Sequence, residues 1–393
     1  MYLILKADEI TTHELFQAAI DLDNKGRYKE ALELYNDIIK INPNHVNALN
    51  NRAIINSKNI NNVNNVKDAI ADLKNIISID PKYTKAYGNL AFIYNDMRMY
   101  DEAIENLNIA INTDPNESWN YDLRSSCYLN IKQYALAEED SLKAVNIVYP
   151  EYYPQDLVTL VGKDQYEKGS QAVISLLQGG FYVKIKWECD LKGNPHIILP
   201  YTKRNRLAIQ LNKDEIHIGK TIRKHIQKYE SRYEFRFDDD FTVIFDALEK
   251  YYREEIHGFA QFAHYYFSSM NHNVNSPRAA AAALYKDGKL VAGEIGFIIG
   301  KVYSSYTGYH DSGAPSSGTV QCIYLAQYLK KEGFVLIDYG PTIYRWDNYK
   351  LNLGAKMIKW RKYQSLLYKA NPRRKKIFKL NPDINLKQVN LLS

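Results

Sequence analysis

A basic and aromatic segment near the C-terminal end of the sequence has the residue types that bind nucleic acid. Between Lys356 and Leu380 there are ten lysine or arginine residues and no acidic residue, with Trp360, Tyr363 and Tyr368 interspersed. Cations neutralise phosphates, and aromatic rings stack on unpaired bases. The segment therefore predicts binding to a polyanion, although its run from Arg373 to Lys376 is equally typical of a sorting signal or a solubilising end.

Metal and disulfide chemistry have little support in the sequence. Cys127, Cys189 and Cys322 are far apart, and the nine histidines are scattered without a metal-binding spacing. The acidic run from Asp238 to Asp240 is more typical of a helix cap than of a metal site. We expect reduced cysteines and no bound metal.

The charge distribution divides the sequence into two parts. Residues 1–160 contain 15 lysine or arginine residues against 23 acidic ones, and the remaining residues contain 36 against 22. This asymmetry predicts an acidic module that faces protein and a basic module that faces a polyanion. No apolar run approaches the roughly 20 residues of a membrane helix, and Met1 to Leu5 is too short for a signal peptide. We expect a cytoplasmic protein of two domains without a membrane partner.

The acidic part is an array of helical repeats. Pro43, Pro81, Pro115 and Pro150 follow one another at spacings of 38, 34 and 35 residues, and small and aromatic residues recur between them. Small residues let two helices approach, aromatic residues fill the gap, and proline sets the turn into the next pair. This is the tetratricopeptide repeat (TPR) signature, and it predicts an all-α solenoid of about four repeats over residues 12–150.

Such arrays generally bind extended peptides or proteins in a concave groove. The basic and amide residues with which some TPR domains bind a chaperone's C-terminal carboxylate are not reproduced, because Phe16 and Ile20 occupy those positions. Chaperone docking is therefore disfavoured, and the expected partner is an unknown peptide or protein.

The basic part has a different architecture. A linker and capping helix are expected over residues 151–178, an α+β domain over 179–368, and a basic tail over 369–393. In the α+β domain the sequence pattern predicts, in this order, a hairpin at Asp287-Gly288, a strand, a glycine-rich loop, a long helix, a strand and a final helix. That order is the layout of the GNAT acyltransferase fold, in which the loop and the helix N-terminus receive an anionic or polar donor group.

The loop in this domain, Gly308 to Thr319, does not suit coenzyme A. His310 occupies the position of a basic or amide residue that would bind pyrophosphate, and Asp311 would repel that group. No cofactor is expected, and a coenzyme A-dependent N-acyltransferase is the less favoured enzyme class.

Three segments resemble the leucyl/phenylalanyl-tRNA-protein transferase family. They are Asp287 to Gly296, similar to the family's L-V-G-G-x-x-G hairpin; Ser305 to Gly308 running into Ser317 to Asp338, similar to its helix, glycine and L-I-D; and Leu353 to Tyr363, similar to its L-G-A-x-x-I-x-R. The resemblance covers roughly residues 170–368. It implies an enzyme that transfers an aminoacyl group from charged tRNA to the α-amino group of an acceptor protein, which marks that protein for degradation.

The resemblance also implies roles for individual residues. Asp338 matches the family's catalytic aspartate and is expected to hydrogen-bond the attacking amine. The residues expected to bind substrate are Glu294, Gly308, Tyr309, Ser317, Thr319, Gly354 and Arg361. The residues expected to bind tRNA are Lys356, Lys359, Lys362, Arg373, Arg374, Lys375 and Lys376. Glu294 and Asp311 are alternatively candidates for selecting a basic acceptor N-terminus.

Two positions depart from the family's pattern. Gly340 stands where bacterial members place a glutamine, and Tyr309 stands where they place a glutamate. One interpretation is a rearranged, eukaryote-like site in which Tyr309 stacks on the terminal adenosine. The other is lost activity, which would leave a TPR adaptor with a degenerate tRNA-binding or scaffolding domain.

Overall fold

The computed structural model describes residues 11–57, 62–161, 166–179, 181, 183–186, 196–200, 205–238, 242–252, 277–340 and 348–370. The chain divides into two compact units, Met1–Asp140 and Ser141–Ser393. The first unit is helical, and the second contains the β-sheets.

Eight consecutive helices form the N-terminal array. They are α1 (Thr12–Asn24), α2 (Tyr28–Ile41), α3 (Val46–Ser57), α4 (Val63–Ile79), α5 (Thr84–Asp96), α6 (Tyr100–Thr113), α7 (Ser118–Asn130) and α8 (Tyr134–Val148). The predicted helical repeat array is confirmed.

Alanines at equivalent positions of the repeats explain the close helix pairing. The fully buried ones are Ala19, Ala31, Ala53, Ala69, Ala91, Ala103 and Ala137. In the fourth repeat Ser125 replaces the first-helix alanine, and its hydroxyl donates a hydrogen bond of 2.7 Å to the backbone oxygen of Ala137. Small side chains at the crossings let the helix backbones approach, as the sequence period predicted.

Two ion pairs at equivalent positions of the repeats connect neighbouring helices within the array. The guanidinium of Arg52 on α3 donates to both carboxylate oxygens of Asp72 on α4, at 2.8 and 2.7 Å, and also to Asn36 on α2 at 2.7 Å. Arg124 and Asp140 form the equivalent pair two repeats later, at 2.8 Å for both bonds. Because both aspartates are buried, these pairs are better shielded from water than surface ion pairs.

The second unit is mixed α and β. Its elements are α9 (Pro154–Leu157), β1 (Thr159–Val161), α10 (Tyr166–Gly179), β2 (Val183–Lys186), β3 (His196–Pro200), β4 (Arg206–Gln210), α11 (Lys220–Tyr229), a 3₁₀ turn (Glu230–Arg232), β5 (Tyr233–Asp238), α12 (Thr242–Tyr252), β6 (Arg278–Lys286), β7 (Lys289–Ile299), β8 (Val302–His310), α13 (Ser317–Lys331), β9 (Leu336–Asp338), α14 (Asn348–Asn352), β10 (Lys356–Ile358) and α15 (Trp360–Ala370). The sequence pattern also predicts a helix over Phe259 to Met270, and this segment lies outside the described residues.

The larger sheet places the candidate loop at its centre. Its strand order is β10-β4-β9-β8-β7-β6-β5, and a small second sheet has the order β1-β3-β2. Strands β8 and β9 are parallel neighbours joined through α13, whereas the other described pairs are antiparallel. This strand–loop–helix–strand unit is the one that the sequence order predicted.

The turn between β6 and β7 is the predicted hairpin. Asp287 and Gly288 both have left-handed backbone conformations, with φ of 52° and 77°. An Asp-Gly pair favours this turn type because glycine carries no penalty there and aspartate tolerates it. The turn pairs Lys286 with Lys289, and a register shift between Leu284 and Tyr285 then places Ala282 opposite Glu294.

Among the described residues no helix is both long and apolar enough to cross a membrane. In that same part of the chain no group of three or more histidine, cysteine, aspartate or glutamate side chains is placed to hold a metal ion.

Candidate functional site

A cavity of about 210 Å³ lies where β7, β8 and the start of α13 meet. It is lined by Gly293, Glu294, Ser305, Tyr306, Thr307, Gly308, Tyr309, His310, Gly318, Gln321, Tyr339, Tyr349 and Lys350. Most of these residues carry polar groups. The cavity can therefore hold a polar ligand of roughly amino-acid size.

Glu294 forms part of the cavity wall on β7. It pairs across the sheet with Gly308 on β8, which has no side chain to cover it. Its carboxylate faces α13, where the thiol of Cys322 lies 3.9 Å from Oε2. Glu294 is only 5% exposed, so its carboxylate is withdrawn from bulk water.

Burial changes the protonation of this carboxyl group. Desolvation raises the pKa of Glu294 above its ordinary value, because the charged form loses its hydration. The charge of Lys350 and the nearby polar groups of Ser305, Tyr303 and Gln321 lower that pKa in part. Glu294 consequently binds its proton more readily than an exposed glutamate does.

Several buried polar atoms in and beside the cavity have no well-formed hydrogen bond within the protein. They are Glu294 Oε1, Gln321 Nε2, Tyr339 OH, Tyr303 OH and Ser317 Oγ. Buried polar groups are normally paired, and leaving them unpaired costs stability. Such a cluster beside a cavity is typical of a site whose partners arrive with a ligand.

Gly296 explains how an aromatic ring fits beneath Glu294. A side chain at Gly296 would place its Cβ 2.5 Å from the backbone oxygen of Ser304 and 2.6 Å from Tyr303 Cζ. The strand pairing also shifts register between Ile295 and Gly296. Only glycine leaves room here for the ring of Tyr303, whose hydroxyl interacts with Glu294.

Asp338 is not placed in the cavity. Side chains alternate between the two faces of a strand, so Ile337 and Tyr339 share the face covered by α13 while Asp338 points to the other face. Asp338 lies beside Ser304, its neighbour on β8, and on the same face as Arg206 of β4. Asp338 is therefore not among the residues that line this cavity.

The carboxylate of Asp338 is enclosed by partners of its own. It accepts hydrogen bonds from Tyr363 OH and Gly340 N, both at 2.8 Å, and from Ser304 Oγ at 3.3 Å. The Nε of Arg206 lies 3.8 Å from it. Burial raises the pKa of Asp338, and the charge of Arg206 and these hydrogen bonds lower it in part. Asp338 is almost fully buried, at 1% exposure.

The other predicted substrate residues divide between the cavity and its surroundings. Glu294, Gly308 and Tyr309 line it. Ser317 and Thr319 lie in the first turn of α13, and Ser317 is buried. These two residues flank Gly318, which lines the cavity.

Gly354 and Arg361 lie away from the cavity lining. Gly354 has φ of 101°, and a Cβ there would lie 2.8 Å from the backbone oxygen of Glu215. Gly354 is thus required by the turn that precedes β10. Arg361 is exposed on the first turn of α15.

The predicted tRNA-binding lysines are at the surface where the structure describes them. Lys356, Lys359 and Lys362 are exposed, and Lys356 forms an ion pair of 2.6 Å with Asp214. The predicted residues Arg373 to Lys376 lie outside the described residues.

Helix α11 is a basic surface that the sequence analysis did not single out. Lys220, Arg223, Lys224 and Lys228 are exposed along it. Beside its end, Lys286 Nζ lies 4.0 Å from the centroid of the Tyr229 ring. This combination of cations and an aromatic ring suits a phosphate backbone with an adjacent base.

Only Glu294, Gly308 and Tyr309 of the thirteen cavity residues were predicted to bind substrate, and Gln321, Tyr339, Tyr349 and Lys350 are among the others. One available signal was the spacing of Gln321, which lies three residues after Gly318 and so on the same face of the predicted helix. No local pattern marks Lys350.

Comparison with known proteins agrees with this division of the chain. Residues 210–368 match the family model for leucyl/phenylalanyl-tRNA protein transferase. Residues 16–45 and 64–127 match tetratricopeptide repeat models.

Curated relatives share short stretches with the chain. Hsp70-Hsp90 organizing protein 3 of Arabidopsis thaliana is 34% identical over 89 residues, 23% of this chain and 15% of that protein. DnaJ homolog subfamily C member 7 of Homo sapiens is 37% identical over 84 residues, 20% of this chain and 16% of that protein. The chain therefore spans less than a fifth of the length of these relatives.

Among solved structures, the chain is similar to MamA 41-end from Desulfovibrio magneticus RS-1. The two are 23% identical with a TM-score of 0.32, over 35% of this chain and 75% of that one.

Proposed function

Because residues 210–368 form a leucyl/phenylalanyl-tRNA protein transferase domain behind tetratricopeptide repeats, we propose that this chain transfers an aminoacyl group from charged tRNA to the N-terminal α-amino group of acceptor proteins. The repeats bind protein partners and present acceptors to the transferase domain.

The observation that carries this proposal is the cavity beside α13 with its unpartnered polar atoms. An aminoacyl ester is already activated, so the enzyme mainly has to hold the ester and amine in line and stabilise the oxyanion that forms. Tyr339 OH and Gln321 Nε2 are buried donors without a well-formed hydrogen bond in the protein. We assign them to the carbonyl oxygen of the ester, where a developing negative charge supplies that acceptor.

Asp338 acts in this scheme as a positioning residue. Its carboxylate joins β9 to Ser304 on β8 and to Tyr363 on α15. Its neighbour Tyr339 then projects into the cavity from the opposite face of β9. Holding Asp338 in place therefore holds the Tyr339 hydroxyl against the reacting carbonyl.

Two basic surfaces support tRNA as the aminoacyl carrier. One is the exposed side of α11, and the other is formed by Lys356, Lys359, Arg361 and Lys362 near α15. Binding along phosphates would deliver the 3′ end of the tRNA to the cavity. Tyr309, which lines the cavity, is the aromatic residue that we propose to stack on the terminal adenosine.

The repeats support a protein partner, but not through a carboxylate clamp. The ring of Phe16 lies 5.0 Å from the ring of His45 and 6.1 Å from that of Tyr35. Phe16 thus packs among aromatic rings at a position where a clamp requires a charged or amide side chain. We propose that the groove binds a peptide by other contacts.

One observation favours a second candidate, a tRNA-binding adaptor without turnover. The carboxylate that matches the family's catalytic aspartate is covered by its own hydrogen-bond partners. In that case the chain binds tRNA in a salt-sensitive manner and transfers nothing.

The proposed function is tested by incubating the full chain with tRNAs that carry radiolabelled amino acids. The acceptors are a peptide with a free N-terminus and the same peptide with an acetylated one. We expect label only in the free peptide, because the acetylated nitrogen is not nucleophilic. Binding of tRNA without labelling of either peptide, across all charged tRNAs, would establish the adaptor instead.

A further inference from the structure

The cavity contains a buried acid where a hydrocarbon side chain would be poorly accommodated. Glu294 is 5% exposed, its Oε1 has no hydrogen-bond partner, and its neighbour Gly308 has no side chain to cover it. A leucyl or phenylalanyl side chain in this cavity would displace water from the carboxylate and offer no hydrogen bond in return. Leaving a buried charge or acceptor unpaired is strongly unfavourable.

We infer that the cavity binds the cationic side chain of a basic aminoacyl group, with Glu294 as its counter-ion. This inference rests on the proposed function and specifies its donor substrate. A guanidinium or an ammonium group provides both the positive charge and the N–H donors that Glu294 Oε1 lacks.

The remaining cavity groups are compatible with this assignment. Gln321 and Tyr339 contribute donors, which suit the carbonyl end of the aminoacyl group. Lys350 is half-buried on α14, and its Nζ lies 5.1 Å from the centroid of the Tyr339 ring. The charge of Lys350 lowers the pKa of Glu294. Oε1 of Glu294 remains an acceptor for a group that enters the cavity.

The attacking amine is a poor alternative ligand for Glu294. A carboxylate next to that amine would favour its protonated form, which cannot attack an ester. A guanidinium or lysine ammonium, by contrast, has no need to lose its proton during transfer. Holding the side chain also restricts the position of the carbonyl carbon, which is what aminolysis requires.

The test compares tRNAs charged with arginine, lysine, leucine, phenylalanine and methionine, with one acceptor peptide that has N-terminal alanine. We expect arginine or lysine to be transferred with kcat/KM at least about 100-fold above that of leucine or phenylalanine, as a site built to hydrogen-bond its substrate discriminates. Preference for leucine or phenylalanine would overturn the inference while leaving the proposed function intact.

Two variants address Glu294 itself. Glu294→Met, similar in length but apolar, should lose transfer of basic residues and gain transfer of leucine or methionine. Glu294→Gln should lose transfer of basic aminoacyl groups without gaining transfer of leucine or methionine. The control is Glu234→Gln, which removes an exposed carboxylate paired with Arg236 and should change nothing. Unchanged donor preference in Glu294→Met and Glu294→Gln would refute the assignment.

A binding measurement keeps the inference testable if no transfer occurs. Non-hydrolysable arginyl- and leucyl-adenosine, joined by a 3′-amide, are titrated calorimetrically against wild type and Glu294→Met. We expect the arginyl analogue to bind at least about 100-fold more tightly to wild type, and this difference to vanish in the variant. Tighter binding of the leucyl analogue to wild type would contradict the inference.

Discussion

The hydroxyl of Tyr363 donates a 2.8 Å hydrogen bond to Oδ2 of Asp338 inside the core. This bond joins α15, the last described helix, to the end of β9, and the residue that follows Asp338 lines the candidate site. Residues near the end of the segment that matches the leucyl/phenylalanyl-tRNA protein transferase model thereby help to set the position of a cavity wall.

Replacing Tyr363 by phenylalanine removes this bond without changing the ring. We expect Tyr363→Phe to lower the free energy of unfolding by about 1.5–3 kcal/mol, because a buried carboxylate loses a donor. Urea denaturation at pH 7 measures the effect. Tyr153→Phe, at an exposed tyrosine, is the matched control and should change stability little. Equal stability of wild type and Tyr363→Phe would argue against a strong bond.

The variant Asp338→Asn tests whether the Asp338 carboxylate positions Tyr339 in the cavity. Asparagine keeps one acceptor but places an amide against groups that donate hydrogen bonds, so β9 should shift locally. We expect kcat for transfer to fall about 10- to 100-fold, since small displacements of a positioned group have effects of this size. KM for charged tRNA should stay nearly unchanged, because Asp338 is buried and acts in the proposal only through Tyr339. A rise in KM with constant kcat would instead indicate direct contact with substrate.

Glu294→Gln has a pH-dependent effect on stability. Burial raises the folded-state pKa of Glu294, so its contribution to stability is fully present below the unfolded pKa of about 4.3 and is lost as pH rises through the folded pKa. The variant should therefore be more stable than wild type at neutral pH. Each unit of pKa shift corresponds to about 1.4 kcal/mol.

Urea denaturation of wild type and Glu294→Gln from pH 4 to 8 measures this difference. The free-energy advantage of the variant should increase with pH and then level off above the folded pKa. An advantage that does not vary with pH would show that the carboxyl group is not perturbed by burial.

The ion pair between Arg52 and Asp72 should matter for the stability of the repeats. Arg52→Met leaves the buried carboxylate of Asp72 without its partner, and we expect a decrease of about 2–4 kcal/mol in the free energy of unfolding. Lys40→Met breaks an exposed pair with Asp37 and should cost less than about 0.5 kcal/mol. Thermal or urea unfolding followed by helical circular dichroism distinguishes the two. Similar decreases in both variants would show that burial does not strengthen the Arg52 pair.

The basic face of α11 should contribute to tRNA binding through phosphates. Replacing Lys220, Lys224 and Lys228 together by glutamine should weaken binding and make it less salt-dependent, by roughly 0.7–0.9 in the log–log slope for each phosphate that is no longer neutralised. Filter binding at several salt concentrations measures both quantities. Replacing Lys67, Lys74 and Lys82 in the repeats provides the charge-matched control. An unchanged slope in the α11 variant would place the tRNA elsewhere.

Much of the fold could be predicted from the sequence because its signals are local. The spacing of Pro43, Pro81 and Pro115 and the recurring alanines predict the repeats, and Asp287-Gly288 predicts the hairpin. Boundaries are less predictable: the sequence pattern predicts a helix over Lys213 to Tyr229, whereas the helix begins at Lys220, and we predict no strand at β5. Aromatic and charged residues alternate along β5, which is the period-two pattern of a strand with one buried face, so the signal for β5 was present in the sequence.

The site was less predictable because it depends on the face of the strand or helix to which each side chain points. At Asp338 a difference of one residue along a strand separates a cavity residue from a core residue, and no local pattern specifies that choice. Lys350 and Gln321 converge only through the packing of α14 and α13 on the sheet. Glu294, by contrast, stood out as an acid within an otherwise apolar and glycine-rich strand.

The most direct test of the central claim is a crystal structure of the full chain with non-hydrolysable arginyl-adenosine. We expect the aminoacyl group to occupy the cavity, with its side chain against Glu294, its carbonyl oxygen within hydrogen-bond distance of Gln321 or Tyr339, and its adenine near Tyr309. An empty cavity, with the analogue bound elsewhere or not at all at saturating concentration, would contradict the account.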